Sequence, residues 1–573
     1  MKTIHSGSSF FKAKILYYYI FLLLSWVILI YPLLDTKLIP GHDYVFHVTR
    51  ILDVAEAIKA GIFPVRIYVD EVQFWGSPAG VFYPSLFNYI PVLLKLAGLP
   101  IEICYNFYIA LIFLLGIFSS WYGFSILTRS KIVGFFSTIL YLSSGYYLID
   151  AYIRNALGEL LGLSFMPLAM ACIGCFITKE KISGKICIFG IVSISAIIQS
   201  HVLSSCFLVL FGVFQLLLHN TNISKYKICR LFLVVLALFL LNANFIIPFL
   251  FFYKNVPVSI DFIDTFSQSA WPVSVTIRFL FLWSFWLLTA LMFFFYDMIH
   301  KLNMILSQKI NKGYYSSQHL FILSKVYALY FLSGLLFLFM STSAFPWDDL
   351  PVLQNIFKMM QFPLRFLGIA TLCFCVCGGF AIRIAMRNIK LNNCSLVLSA
   401  FVICMTGLIT LHTFAPVSST SYWKVPSKIF WERMLSSTDD DYLYKDMDVM
   451  KLSKQGNRYI SDADISNYQK NISNISFSYR TKTDTKIILP LVNYPCYVAS
   501  DQSGRKIKIE ENDNHMITIP LTHGSGIVKV WYKGLLIFKI ADYLSLISVL
   551  AFLCFMIKFC RENNIKIKND GFL

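Results

Sequence analysis

Charge is what this chain has least of. Asp, Glu, Lys and Arg make up 14% of its 573 residues, against about a quarter in soluble globular proteins. A soluble enzyme is excluded by that figure, and the 57% of hydrophobic residues exclude a disordered chain. The P-loop, GxSxG, HExxH and Gly-rich dinucleotide patterns are also missing, so no nucleotide cofactor is implied. Of the 14 cysteines, most lie in apolar runs, as Cys373, Cys375 and Cys377 do. The large polar segment near the C-terminus holds Cys496 alone. A disulfide framework is therefore excluded, and the Cys-x-Cys-x-Cys spacing reads as small apolar packing rather than a metal site.

What the chain has is long apolar runs. A membrane helix needs roughly 20 apolar residues, and about twelve stretches qualify on that measure. The first runs over Ile15–Leu34. The others lie near 102–127, 132–150, 156–177, 184–200, 202–219, 229–250, 275–297, 323–342, 364–384, 394–414 and 536–558. The first is too long for a signal-peptide core and is expected to stay as a helix. The net charge of +18 points to membrane topology, not nucleic acid, because the basic residues cluster in short segments between spans. Arg129/Lys131, Lys179/Lys181/Lys185, Lys225/Lys227/Arg230, Lys301/Lys309/Lys312, Arg383/Arg387/Lys390 and the tail from Lys558 to Lys568 all fall on one side if the chain alternates. The N- and C-termini are then cytoplasmic, provided that Tyr83–Leu96, with Pro84 and Pro91, lies in the outer interface instead of crossing.

Two outer segments are large, Asp35 to about Pro100 and about Pro416 to Gly534. The second is polar, with alternating stretches at Lys486–Val492, Lys506–Glu510, Met516–Leu521 and Ile527–Tyr532 separated by turn residues. That spacing predicts a small β-sandwich. The expected organisation is a helical body over 1–414, a β-rich domain over 415–535, and a final span with a basic tail over 536–573.

Ionisable residues near span ends are costly and need a reason. His42, Asp43, His47 and Arg50 follow the first span. Asp43, His47 and Arg50 are spaced i, i+4, i+7 on an amphipathic segment over Tyr44–Ala60, with Ile51, Val54, Ala55 and Ile58 as its apolar stripe. Asp43 as a simple helix cap is the plainer alternative. Arg154 and Glu159 open the span at 156–177; they are five apart, off one helix face, and an Arg–Glu pair that merely joins helices is the alternative. Arg365 follows Pro363 at a helix start, where snorkelling to headgroups is the alternative. His201 lies at a helix turn. The topology puts all four groups on the outer face. A carboxylate with guanidiniums and histidines there suits an anionic lipid-linked substrate, since Arg matches phosphate oxygens and Asp43 can accept a hydroxyl proton or help hold a divalent cation. Asp348-Asp349 and Asp439–Asp441 read better as solvated loop acids, and Asn471-Ile472-Ser473 and Asn474-Ile475-Ser476 as sequons only in a eukaryotic secretory route.

These residues carry a resemblance. His42-Asp43 with Phe46-His47 and Arg50, Tyr152-x-Arg154-x-Ala156-Leu157-x-Glu159, and Gln361-Phe362-Pro363-x-Arg365-Phe366-Leu367 resemble the GT-C superfamily of polytopic glycosyltransferases. More narrowly, they resemble bacterial membrane proteins of the YfhO type and those labelled 6-pyruvoyl-tetrahydropterin synthase-related, although nothing in the chain suggests pterin chemistry. Asn244-Phe245-Ile246-Ile247-Pro248 and Leu489-Pro490-Leu491 with Tyr494-Pro495 are supporting matches. The chain departs at Asn155, where relatives often carry the more flexible Gly. The resemblance implies an all-α polytopic body with a small extracytoplasmic β domain, in a bacterial plasma membrane. It implies a sugar passed from a polyprenyl-phosphate donor to a cell-envelope acceptor (a surface glycan, lipid or teichoic-acid-type polymer) with inversion. Asp43 would be the general base or help bind a metal, assisted by His42. Arg154 and Arg365, with Arg50, His47 and His201, would grip the donor phosphate, and Glu159 would orient Arg154 or the acceptor. The metal requirement stays open. A flippase for a lipid-linked sugar and a non-catalytic scaffold are the rivals.

Overall fold

The computed structural model describes residues 4–34, 38, 41–69, 75–218, 224–258, 269–276, 317–352, 357, 360–389, 405 and 442–569. The expected spans at 275–297 and 394–414 and the acidic run Asp439–Asp441 fall almost wholly outside them. The chain forms two compact units. The first comprises Met1–Tyr44, Tyr105–Arg230 and Phe262–Trp423; the second comprises Val45–Cys104, Leu231–Asp261 and Lys424–Leu573.

Among the described residues, five helices are long and apolar enough to cross a membrane: Ile101–Thr128, Leu157–Thr178, Lys225–Asn255, Pro363–Ile382 and Leu536–Glu562. Shorter apolar helices stand at Leu16–Leu29, Gly184–Ile198, Val202–Leu218 and Leu329–Met340. With so little charge in the chain, this makes it a membrane protein. The helix Tyr89–Leu96 has eight residues, so it is about 12 Å long and too short to cross a hydrocarbon core of roughly 30 Å.

The continuous span expected at 132–150 is instead broken. Lys131–Leu142 and Gly145–Arg154 meet at an angle of 45°. The break falls at Ser143-Ser144-Gly145, the residue types that bend helices. Ser143 Oγ donates to the Ile139 carbonyl and Ser144 Oγ to the Tyr141 carbonyl, both at 2.6 Å. Each of these carbonyls also accepts a backbone bond at 3.1 Å, Ile139 from Ser143 N and Tyr141 from Ser144 N, so the hydroxyls add a second, competing donor at the break.

In the first unit, Leu157–Thr178 packs on Gly184–Ile198 and Val202–Leu218, and Phe366–Ile389 packs on Ser317–Met340 and Lys131–Leu142. Backbones come close where residues are small. At Gly123 a Cβ would lie 2.5 Å from the Leu168 nitrogen, so only glycine fits. Of the five long apolar helices, Leu157–Thr178 and Pro363–Ile382 are the most buried, at 83% and 89%. They also carry Glu159 and Arg365, so both charges need partners inside the protein.

The second unit holds the expected β domain. Among the described residues, nine strands form two antiparallel sheets: β1 Ile460–Ser461, β2 Asp464–Asn471, β3 Asn474–Thr481, β4 Thr485–Val492, β5 Tyr497–Asp501, β6 Lys506–Ile507, β7 Glu510–Glu511, β8 Met516–Leu521 and β9 Gly524–Tyr532. One sheet runs β1-β4-β8-β7 and the other β2-β3-β9-β5-β6. Alternate residues of both sheets enter one core: Ile475 and Phe477, Ile487, Leu489 and Leu491, Ile517, Ile519 and Leu521, Val528 and Val530. Pairing of β4 with β8 slips between Ile488 and Val492, where Pro490 has no N–H to offer. The expected strand Lys506–Glu510 is two short ones.

This core extends beyond the strands. Trp75, Val81 and Phe82, then Phe252 and Val256, and Phe538 of the last helix are buried in it. Val492 N donates to the Trp75 carbonyl at 2.8 Å. The last helix, Leu536–Asn569, is tied in by Arg66, whose Nη2 reaches both Asp542 oxygens at 2.7 and 2.9 Å. It is tied again by Ser545 Oγ, which accepts from Asn244 N at 2.9 Å.

Candidate active site

The site in the first unit begins with a backbone docking. His42 N donates to the Ile153 carbonyl at 3.1 Å and Asp43 N to the Arg154 carbonyl at 2.8 Å. Gly41 makes this approach possible. A Cβ there would collide with the Asn155 amide and sit 2.6 Å from the Ile153 oxygen. Asp43 is thereby held beside the turn that carries Arg154, immediately ahead of the helix Tyr44–Lys59.

That turn is unusual. Asp150–Arg154 is a single π-helical turn, and Asn155 after it adopts the left-handed conformation, φ 57° and ψ 36°. Asn tolerates this region better than most residues. Asn155 is fully buried and accepts from Tyr105 Oη at 3.1 Å. Asn155 thus supplies the left-handed backbone that the turn requires. A new helix starts at Leu157. The break explains how Arg154 and Glu159 meet although five residues apart: they do not share one regular helix.

Glu159 is the hub. Its Oε1 accepts from Tyr146 Oη at 2.6 Å, and its Oε2 accepts from Arg154 Nη1 at 3.0 Å. Arg365 Nε lies 3.2 Å from the same Oε2. Arg154 Nη1 also donates to Asp150 Oδ1 at 2.6 Å, and its Nη2 faces Asp43 Oδ2 at 4.0 Å. Both guanidiniums lie over the Phe362 ring, Arg154 at 5.1 Å and Arg365 at 4.5 Å. Arg365 sits on the 3-10 turn Pro363–Arg365 that leads into Phe366–Ile389, and its Nη1 donates to the Met360 carbonyl at 3.3 Å. With only 6% of its side chain exposed, Arg365 does not snorkel to headgroups.

Exposure grades the cluster. Side-chain accessibility is 1% at Asp150, 5% at Glu159, 13% at Arg154 and 43% at Asp43. Asp43 is the open end. Partial burial raises its carboxyl above the usual range, while Arg154 and then Arg365 pull the other way. His201, in the turn between two helices, is buried and exchanges a hydrogen bond with Ser204 Oγ at 2.9 Å. Burial, and next the charge of Arg365, hold its imidazole down at about 3, so it faces the cluster uncharged. His42 is exposed.

His47 and Arg50 belong to the second unit. There His47 is buried against Tyr83 and Phe46, with ring centroids 5.8 and 5.2 Å away. Arg50 lies 4.3 Å over Tyr83 and donates to the Pro84 carbonyl at 2.9 Å. Among the described residues no group of three or more His, Cys, Asp or Glu is arranged to hold a metal ion.

Sequence reasoning missed Asp150 and Tyr146, and it quoted Phe362 within a motif without giving it a role. Asp150 carried a signal, being an acid at the end of an apolar run, four residues before Arg154. Tyr146 carried none.

No family model and no curated protein matches the chain. Among solved structures, it is similar to ArnT from Cupriavidus metallidurans bound to undecaprenyl phosphate, at 13% identity and a TM-score of 0.34, over 65% of this chain and 60% of that one. It is also similar to the arabinofuranosyltransferase AftD from Mycobacteria, at 13% identity and a TM-score of 0.38, over 74% of this chain. The chain thus spans 60% of the length of ArnT and 27% of the length of AftD.

Proposed function

We propose that the chain is a GT-C-like membrane glycosyltransferase of the YfhO type. It would move a sugar from a polyprenyl-phosphate donor to a cell-envelope glycan, lipid or teichoic-acid-type polymer on the outer face of a bacterial plasma membrane. One observation carries this reading. A half-exposed carboxylate, Asp43, stands 4.0 Å from a guanidinium nitrogen of Arg154 that two buried carboxylates hold from behind. A base and a cation are thus presented together.

In the proposed reaction the acceptor hydroxyl gives its proton to Asp43 as its oxygen forms the bond to the anomeric carbon. The bond from that carbon to the phosphate oxygen breaks on the opposite face, which inverts the centre. The lipid phosphate leaves with the electron pair. Arg154 compensates the charge that develops on it, and Arg365, more deeply buried, acts through Glu159 and Phe362. His42 stands next to Asp43 at the acceptor side, and His201 is proposed for the donor side; His47 and Arg50 belong to the other unit and are donor-side candidates on the sequence resemblance alone.

The test uses membranes carrying the intact protein or Asp43→Asn, labelled polyprenyl-phosphate sugars and an extracted envelope acceptor. Loss of the base should lower transfer by about 10²–10⁴-fold, at unchanged protein level. Equal transfer by both proteins removes Asp43 from the mechanism. No transfer by either, across donors and acceptors, favours a flippase or a scaffold and leaves the Arg–Glu cluster a helix-joining device.

A further inference from the structure

Asp150 is wholly buried in the π-turn, and Glu159 Oε2 shares its grip on the same nitrogen of Arg154, Nη1. The guanidinium is thus pulled by two carboxylates from one side, at 2.6 and 3.0 Å, and faces Asp43 at 4.0 Å on the other. A carboxylate that closes to hydrogen-bond distance on an arginine is a poorer base, because the ion pair favours its charged form. The separation on the Asp43 side therefore matters to any proton transfer there. Charged groups around Asp150 are Glu159, Arg154, Arg365 and Asp43, and those around Asp43 are Arg154, Arg365, Glu159 and His42. Arg154 is the cation that Asp150 and Asp43 both face at ion-pair distance.

We infer that Asp150 is a positioning residue. By gripping Arg154 Nη1 from the buried side, it keeps the guanidinium from closing on Asp43, and so keeps the Asp43 carboxylate available as a base. The catalytic half of this inference rests on the function proposed above; the geometric half does not.

The experiment uses the full chain in detergent and compares it with Asp150→Asn, Asp150→Glu and the double variant Asp150→Asn/Arg154→Gln. Carbodiimide labels protonated carboxyls, so labelling of Asp43 read by peptide mass spectrometry across pH gives its titration midpoint. The acid limb of sugar transfer is measured on the same samples. In Asp150→Asn the freed Arg154 closes on Asp43, and both midpoints fall by about 1–3 pH units, with the maximal rate reduced. Asp150→Glu restores part of the shift. The double variant, which removes both members of the buried pair and is the safer one to fold, brings the labelling midpoint back to or above that of the intact protein.

Transfer reduced at every pH with both midpoints unmoved assigns Asp150 a merely structural part and overturns the inference. The same holds if the double variant titrates like Asp150→Asn. A shifted labelling midpoint in a protein that transfers no sugar supports the positioning and overturns the catalytic reading.

Discussion

Three carboxyls and two guanidiniums meet at the candidate site, and their balance follows from burial. Asp150 and Glu159 face Arg154 and Arg365; Asp150, Glu159 and Arg365 are buried, and Arg154 is 13% exposed. An unmatched charge in that position would be costly, whereas oppositely charged partners held together offset part of that cost. Asp43 is the outlying fifth, and half exposure is what an unmatched carboxylate can sustain. Its proton is held more tightly than in an ordinary aspartate because burial outweighs the two guanidiniums. A base must be deprotonated to act, so transfer should rise with pH and level off above that raised value. By linkage the same shift favours the folded chain at low pH, and that contribution is lost as pH climbs through it. Arg154 is the larger of the two opposing influences. Arg154→Gln should therefore move the acid limb of kcat/KM to higher pH, measured with the polyprenyl-phosphate sugars of the proposed reaction, while it also weakens donor binding. An acid limb that stays put would detach Arg154 from the titration of Asp43.

A turn does as much here as any helix. Arg154 and Glu159 meet because the chain leaves α-helical geometry at Asp150, turns left-handed at Asn155 and starts again at Leu157. Asn155→Gly keeps that conformation and gives up the bond to Tyr105, so it should retain most of the activity. Asn155→Val must adopt a positive φ with a branched side chain, at a cost of roughly 1–2 kcal/mol or more. It should lower thermal stability in detergent and transfer together; equal behaviour of the two variants would show that the left-handed turn is dispensable. This element also marks where sequence reading stops. Apolar runs announced the helices, since composition alone determines what can sit in lipid, and the residues Asp43, Arg154, Glu159 and Arg365 stood out because charge is rare in such runs. The spacing of Arg154 and Glu159 looked unhelpful because it was measured on a regular helix, and a π-turn with a left-handed stop has no periodic signature. In the β domain, Met516–Leu521 was readable from alternation, while β2 was not. It lies at the edge of its sheet, where a strand can be as polar as Ser466, Asn467 and Gln469 make it.

On the scale of the second unit, order along the chain and order in space part company. Composition separates a polar segment over 415–535 cleanly, yet the core of the strands is completed by Trp75 and Phe82 from the first large loop, Phe252 from the helix Lys225–Asn255 and Phe538 from the last helix. Phe82 stacks on Tyr442 with ring centroids 5.4 Å apart, and Phe252 and Phe251 lie 6.3 and 5.4 Å from Phe538. No local pattern encodes such contacts, because each residue reads in its own segment as one more apolar side chain. The strands should consequently depend on residues hundreds of positions away. Trp75→Ala in the full chain removes a side chain that is 3% exposed, which costs about 3–5 kcal/mol for a large aromatic. It should lower the unfolding midpoint followed through β-sheet circular dichroism. A fragment of residues 442–534 lacks all four of these aromatics, and it should give broad, poorly dispersed amide resonances. A well-dispersed spectrum from that fragment would mean that the two sheets are sufficient on their own. The loop and helix residues would then be lodgers on a core already complete, and the first loop, which leads on from Asp43, would be free to move without disturbing the strands.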